Sequence, residues 1–487
     1  MGMKLNRNDL IFFIVCLGLG LLAERSFLQG KIGLSYLVFI TCFYGVFFWK
    51  FQSFPFTNKK LGVLLISSIW LLAASFLLKS NMILYALNIL VIPFLVLIQL
   101  VLVTYPVQNQ WHRFSFVKKV ILTVCAAIMY SFRFLMQGPK LASKGMDEKT
   151  SGFVKRVLIG LSISFPLLVV IINLLVSADQ QFGQMLGSFP RWLSRLEIEE
   201  EILRTAAVVF YALSIFGLLQ VLRKKSSMDE QPVDSDKKIS WDSVVSLTVL
   251  ISLNIVYLLF VIVQFTYFFS ETLQTGFTYA EYARRGFFEL LFIAVLNLMI
   301  ISTVISFSEM GSRTIKQFIR IMLTLLVFFS GVMLYSAFIR LFMYEEAYGF
   351  TFTRVLAHAF MIFLLVILGY SLIRIWLERL SLVRFYIISA IIFYTIINTV
   401  PLDRFVVEQN LQRYNETDKI DIYYLNSLSY DGVEGLVKLY KLNPDYPGLK
   451  QALQERKHEA RMEEGKWSSI NFSRRNAEKL LMNIDLQ

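Results

Sequence analysis

Charge and cysteine are both scarce in this chain. Only 17% of its 487 residues are Asp, Glu, Lys or Arg, against about 25% in ordinary globular chains. Such a low charged fraction excludes a disordered chain, which would need polar and charged residues in bulk. There are 3 cysteines, Cys16, Cys42 and Cys125, all inside apolar runs, which excludes a disulfide scaffold and reads as small buried hydrophobes. No CxxC pair or Cys/His cluster is present, and the 3 histidines, His112, His358 and His458, are far apart, so a zinc or redox centre has no support. P-loop, GxSxG, HExxH and GxGxxG motifs are missing as well. These gaps argue against an enzyme and imply no cofactor.

What is abundant is apolar surface. The hydrophobic fraction is 56%, Phe alone supplies 44 residues, and the mean hydropathy is +0.59. The composition is that of a membrane protein, and the runs have the right length. A spanning helix needs about 20 mostly apolar residues. Eleven stretches qualify: 10–26, 32–48, 61–78, 82–104, 157–176, 205–222, 243–269, 286–306, 318–339, 355–373 and 385–400. A twelfth, 120–136, is short and carries Arg133. The expected fold is therefore an all-α, polytopic transmembrane helical bundle of about 11–12 spans with a small helical C-terminal region. Residues 1–136 form the N-terminal transmembrane helices, 137–401 a transmembrane core, and 402–487 an extramembrane tail. The first run reads as a retained helix, since no small-residue cleavage site precedes Glu24.

The net charge of +13 has an address. Residues 402–487 hold 13 Lys and Arg against 14 Asp and Glu, so the excess lies in short loops between apolar runs. Cytoplasmic loops collect Lys and Arg. With a cytoplasmic N-terminus and a non-crossing 120–136, the cytoplasmic pieces hold 24 basic residues and the external ones 10. That arrangement leaves the tail extracytoplasmic, and a crossing at 120–136 would flip one part of it. No basic face is interleaved with aromatics, so nucleic acid is not an expected partner. The lipid bilayer is, and another membrane or envelope protein is compatible with the tail. The loop at 223–240 has few apolar residues to bury. The stretch 177–204, with Phe189, Trp192, Leu193 and Leu196 among charges, reads as an interfacial helix.

Polar residues at membrane depth are the candidate functional groups, because burying them is costly. Thr278 and Glu281 have capping-box spacing at the mouth of a span. Glu281, Arg285 and Glu289 follow at i, i+4 and i+8 on one helix face, and Asn297 continues the stripe. Tyr279, Tyr282 and Arg284 flank it. The stripe is either an ion, proton or polar-substrate site or an internal Glu–Arg–Glu clamp between helices, the plainer reading, because Arg285 neutralises either carboxylate. Asn88, Gln99, Asn173, Asn254, Gln264 and Asn398 read as interhelical hydrogen-bonding amides. His358 is a weaker candidate: imidazole titrates near neutral pH, but no partner is identifiable from sequence. Pro93 and Pro166 interrupt spans and read as kinks. In the tail, Asp418 and Asp421 suit helix N-termini.

The run GFTYAEYARRGFFELLFIAVLNL at 276–298 resembles a family of multi-pass bacterial membrane proteins known as domain of unknown function 4173. Tyr348-Gly-Phe-Thr-Phe-Thr-Arg is similar to that family's second extended loop. Asn398-Thr-Val-Pro-Leu-Asp through Asn410, Arg413, Asp421 and Asp431 resembles its post-membrane block, and Trp467-Ser-Ser-Ile-Asn its tail. The resemblance covers roughly 160–475 and implies a bacterial cytoplasmic membrane with no soluble cofactor. Two functional expectations follow. One is a non-enzymatic sensing, scaffolding or envelope-regulatory component. The alternative is a transporter or lipid-handling protein using the Glu281–Arg285–Glu289 stripe.

Overall fold

The computed structural model describes residues 7–105, 111, 113–142, 200–225, 241–269, 287–308, 312–462 and 469–486. Every regular element among the described residues is a helix, with no strand, and the chain divides into two compact units. Helices follow from the solvent. A bilayer offers no hydrogen-bonding partner, so an apolar run of about 20 residues satisfies its backbone internally.

The first unit comprises residues 1–78, 85–230 and 464–472. It holds α1 (Arg7–Phe27), α2 (Leu34–Lys50), α3 (Lys59–Leu78), most of α4 (Met82–Thr104), α5 (Phe114–Ala142) and α6 (Glu200–Lys225). α1 and α6 run antiparallel. Gln220 near the end of α6 donates to Asp9 near the start of α1 at 2.8 Å, and Arg204 pairs with Glu24 at the opposite ends, 3.9 Å apart. Between them an aromatic core packs Phe12, Phe13, Tyr130, Phe134 and Phe216 at ring separations of 4.5–5.9 Å. Ser131 Oγ ties α5 to α6 by donating to the Leu213 carbonyl at 2.7 Å. α3 and α4 are joined by Asn88 Nδ2 donating to Ser75 Oγ at 3.2 Å, and α2 and α4 by Tyr44 donating to Gln99 at 3.3 Å. Pro93 lies inside α4.

The second unit comprises residues 79–84, 231–463 and 473–487. Its bundle is α7 (Ser243–Phe269), α8 (Phe287–Phe307), α9 (Arg313–Tyr348), α10 (Phe352–Trp376) and α11 (Leu382–Thr399). Its tail is α12 (Leu402–Thr417), α13 (Ile422–Ser427), α14 (Tyr430–Leu442), α15 (Leu449–Met462) and α16 (Phe472–Asn483). The bundle core runs from Leu250 and Tyr257 through Leu290, Ala294, Leu326 and Met333 to Leu364 and Ile375. Large apolar side chains such as Phe288, Phe292 and Phe328 face outward at 61–69% exposure, the surface a bilayer would cover. The tail has its own apolar core around Val406, Leu425, Leu436, Leu439 and Leu453, against which Phe350 and Val355 of the bundle also pack.

Among the described residues nine helices are long and apolar enough to cross a membrane, including Lys59–Leu78, Met82–Thr104 and Arg313–Tyr348. The stretch at 120–136 belongs to α5, whose segment Ser115–Leu135 meets that standard, so the non-crossing assumption has no basis in length or polarity. α2 is a shorter apolar helix of 17 residues. The expected span at 157–176, Pro166, and 177–199 of the expected interfacial helix lie outside the described residues. Residues 200–204 form the first turn of α6 rather than the end of a separate helix.

Two glycines set the closest approaches in the first unit. A Cβ on Gly20 of α1 would stand 2.4 Å from the Val208 carbonyl oxygen, and one on Gly217 of α6 would stand 2.0 Å from Ser131 Oγ and 2.6 Å from the Ala127 carbonyl oxygen. Small residues permit such contacts between membrane helices. Gly18, two residues before Gly20 and on the opposite face of α1, has nothing within 4 Å of its Cβ position. Gly20→Ala and Gly217→Ala should each destabilise the detergent-solubilised chain by about 1–3 kcal/mol, read as a lower unfolding temperature. Gly18→Ala should leave that temperature unchanged or slightly raised.

Candidate functional site

The expected stripe is only partly visible. Tyr279, Glu281, Tyr282, Arg284 and Arg285, with the Thr278 cap, lie outside the described residues. Glu289 sits in the first turn of α8 and is exposed on the protein's own surface. Asn297, two turns on, is fully buried. Its Oδ1 accepts from Tyr257 at 2.8 Å, and its Nδ2 donates to Ser330 Oγ at 2.9 Å. That amide therefore cross-links α7, α8 and α9, and Asn254 ties α7 to α9 by donating to the Met322 carbonyl at 3.0 Å.

A second polar centre forms where α9 turns into α10. Glu345, in the last turn of α9, is 2% exposed. His358, two turns into α10, places Nε2 at 2.9 Å from Glu345 Oε2, so the histidine that had no partner in sequence has one in space. The imidazole packs edge-on against Phe338, with ring centroids 4.5 Å apart. Glu345 Oε1 and His358 Nδ1 are buried with no hydrogen-bond partner among the described residues. Five residues before Glu345, Arg340 Nη2 donates to Gln264 Oε1 at 3.2 Å, and Ser336 donates to the same oxygen at 3.0 Å. Gln264 thus binds α7 to α9.

The turn between these helices is the seat of the tail. α9 ends on Gly349, whose amide donates to the Glu345 carbonyl at 2.7 Å. Gly349 has φ +83°, and a Cβ there would meet Asn410 Oδ1 at 2.8 Å, so both backbone and space require glycine. Asn410 of α12 grips the next residue from both sides. Its Oδ1 accepts from Phe350 N at 3.1 Å and its Nδ2 donates to the Phe350 carbonyl at 2.8 Å. Arg413 donates to the Ala347 carbonyl at 2.9 Å and the Glu346 carbonyl at 3.3 Å, on carbonyls that the end of α9 leaves free. The Tyr424 hydroxyl accepts from Phe352 N at 2.7 Å, and Thr351 caps α10. Arg354 stacks over the Tyr344 ring at 4.3 Å and donates to the Gly349 carbonyl. These residues belong to the stretches 348–354 and 398–431 that the sequence resemblance singles out, and the fold brings the two together.

A third group closes the end of α11. Lys79 Nζ donates to the carbonyls of Asn398 (3.3 Å) and Thr399. Asn81 donates to both oxygens of the buried Asp403 at 2.9 and 3.0 Å, while its own Oδ1 caps the start of α4. Burial raises the Asp403 carboxyl, with Asn81, Lys79 and Ser429 drawing it back. Burial, reinforced by Asp403 and Glu434 and opposed by Lys79 and Arg404, pushes the Asp431 carboxyl up to about 6. Burial lowers the Lys79 ammonium to about 8 against the pull of Asp431 and Asp403. Asp421 caps α13 as expected, accepting from Tyr424 N at 2.9 Å. Asp418 does not cap a start: it ends α12 in the left-handed region at φ +54°. No cluster of three metal-ligating side chains occurs among the described residues.

These features belong to a multi-pass, all-helical membrane protein. Residues 66–439 match the family described as Domain of unknown function (DUF4153), and the chain belongs to that family. It is a different family from number 4173, which the motif at 276–298 resembles. No curated protein matches the chain, and no solved structure does.

Two outcomes test the junction. A carboxyl raised on folding stabilises the folded state most when protonated, so the Asp431 contribution is largest at low pH and is lost as pH rises from the ordinary 3.8 through about 6. Asp431→Asn should flatten that decline in a pH series of thermal unfolding and raise stability at pH 7. Asn410→Ala, which leaves buried backbone groups of Phe350 unpaired, should cost about 2–4 kcal/mol and expose the tail to limited proteolysis.

Proposed function

We propose that this chain is a non-enzymatic sensing or envelope-regulatory component of a bacterial cytoplasmic membrane, in which the state of the tail is relayed to the helical bundle. The observation that carries this reading is the continuity of the turn. Glu345, paired with His358 inside the bundle, hydrogen-bonds through its carbonyl to Gly349, and the following residue is held by Asn410 of the tail. Any movement of the tail on this seat alters the end of α9, and a change at the Glu345–His358 pair alters the seat. Conformational coupling of this kind requires one element whose arrangement both sites bias, and the 345–352 turn is that element.

The orientation favours an extracytoplasmic tail. The bundle end opposite the tail carries Arg313, Lys316, Arg320, Arg374, Arg379 and Arg384 in or beside its turns, the pattern of a cytoplasmic face. A scaffold role for another envelope protein is a form of the same reading.

The transporter or lipid-handling alternative rests on Glu281, Arg285 and Glu289, and gains one specific point: buried Glu345 Oε1 and His358 Nδ1 have unused hydrogen-bonding capacity. On that alternative Glu289→Gln and His358→Gln abolish proton flux in proteoliposomes carrying an entrapped pH dye. The relay reading expects no flux in the unmodified chain.

Hydrogen exchange on the full chain in nanodiscs tests the relay. His358→Gln should accelerate exchange by about tenfold at 402–417, a segment it does not touch, and Asn410→Ala should do the same at 345–358. If Asn410→Ala loosens the turn while His358→Gln leaves the tail unchanged, docking is real and the relay is wrong.

A further inference from the structure

The first unit has a cavity of about 580 Å³ at the end where α1 begins and α2 and α6 finish. Its lining includes Phe12, Trp49, Lys50, Phe51, Phe54 and Arg223. Two cations and four aromatic rings converge there, with no carboxylate in the wall. Lys50 Nζ stands 3.8 Å over the Phe12 ring, and neither Lys50 nor Arg223 makes an ion pair among the described residues. Asp9 stands outside the lining, accepts from Gln220 at 2.8 Å and attracts Lys50 without neutralising Arg223 beside it. Phe12 and Phe51 are buried, whereas Trp49 is half exposed at the helix end, the depth at which indoles meet headgroups. Outward-facing Ile11 and Ile14 continue the wall along α1 as an apolar track.

We propose that this cavity binds a phosphate-bearing anion, held by Lys50 and Arg223. Arg offers a planar fork that matches phosphate oxygens, and Lys adds a point charge. A phospholipid headgroup such as phosphatidylglycerol suits the site best, because the aromatic walls and the apolar track would receive the glycerol and acyl chains. Basic pockets between membrane helices take anionic headgroups in this way. A free phosphate would use the same two cations and leave the track unused. The site is remote in sequence from the tail seat and stands independently of the relay.

The full-length protein in neutral detergent should bind short-chain phosphatidylglycerol in preference to short-chain phosphatidylcholine in a titration followed by tryptophan fluorescence or native mass spectrometry. Lys50→Gln combined with Arg223→Gln should weaken phosphatidylglycerol by about tenfold or more. Ser53→Glu, an exposed substitution on the cavity rim, should do the same without disturbing a buried group, which guards against misfolding of the first variant. Competition by inorganic phosphate would identify a free phosphate group as the natural occupant, and failure to compete would identify the lipid. Equal binding of the two lipids, or undiminished phosphatidylglycerol binding by a folded Ser53→Glu or double variant, would overturn the proposal.

Discussion

A bilayer interior has no water to complete a polar group's hydrogen bonds, and most of this structure answers that constraint. The backbone is satisfied by helices. The side chains that remain are paired across them: Asn297 between Tyr257 and Ser330, Gln264 between Ser336 and Arg340, Ser131 on the Leu213 carbonyl. Each is an interhelical tie as well as a satisfied group, since the cheapest partner for a buried amide is a neighbouring helix. The Glu345–His358 pair obeys the same rule only in part, as does Asn254, whose Oδ1 is also buried with no hydrogen-bond partner among the described residues.

The constraint relaxes at the bundle end, and there the tail takes over. Helix ends leave carbonyls and amides without intrahelical partners. At the close of α9 these groups are met by Arg413, Asn410 and Tyr424; at the close of α11, by Lys79. The tail thus caps the helices as well as burying apolar surface against Phe350 and Val355. This dual attachment explains why a segment of such modest hydrophobicity can form an ordered layer: its own core is supplemented by side chain-to-backbone bonds that only the bundle end offers.

Much of the architecture was readable from sequence because a run of about 20 apolar residues leaves few alternatives. The α4 span at 82–104 and the α3 span at 61–78 agree with the structure to within two residues. α5 is the ambiguous one, because the apolar stretch at 120–136 reads as short and carries Arg133, although Ser115–Leu135 is apolar enough to cross. In the tail, α13 and α14 fold so closely that a Cβ on Gly432 would meet the Leu425 carbonyl oxygen at 2.1 Å. The polar centre was less legible. His358 stands out in the sequence as a residue type, but Glu345 lies 13 positions away across a turn, beyond any helical periodicity. Asn410 and Arg413 carried the family resemblance without any hint that their target was the backbone at 346–350. Spacing reveals partners on one helix face; it does not reveal partners created by a turn between two helices.

The sidedness of the tail tests the account most directly, since a relay from the envelope requires the tail and its seat to lie outside the cytoplasm. Tyr423, at 89% exposure on α13, and Arg379, in the turn between α10 and α11, are suitable reporters. In a background lacking Cys16, Cys42 and Cys125, Tyr423→Cys and Arg379→Cys would be treated on intact cells with an impermeant thiol reagent. The account predicts labelling of Tyr423→Cys on intact cells and of Arg379→Cys only after lysis. The reverse pattern would put the tail in the cytoplasm and contradict an envelope-facing relay.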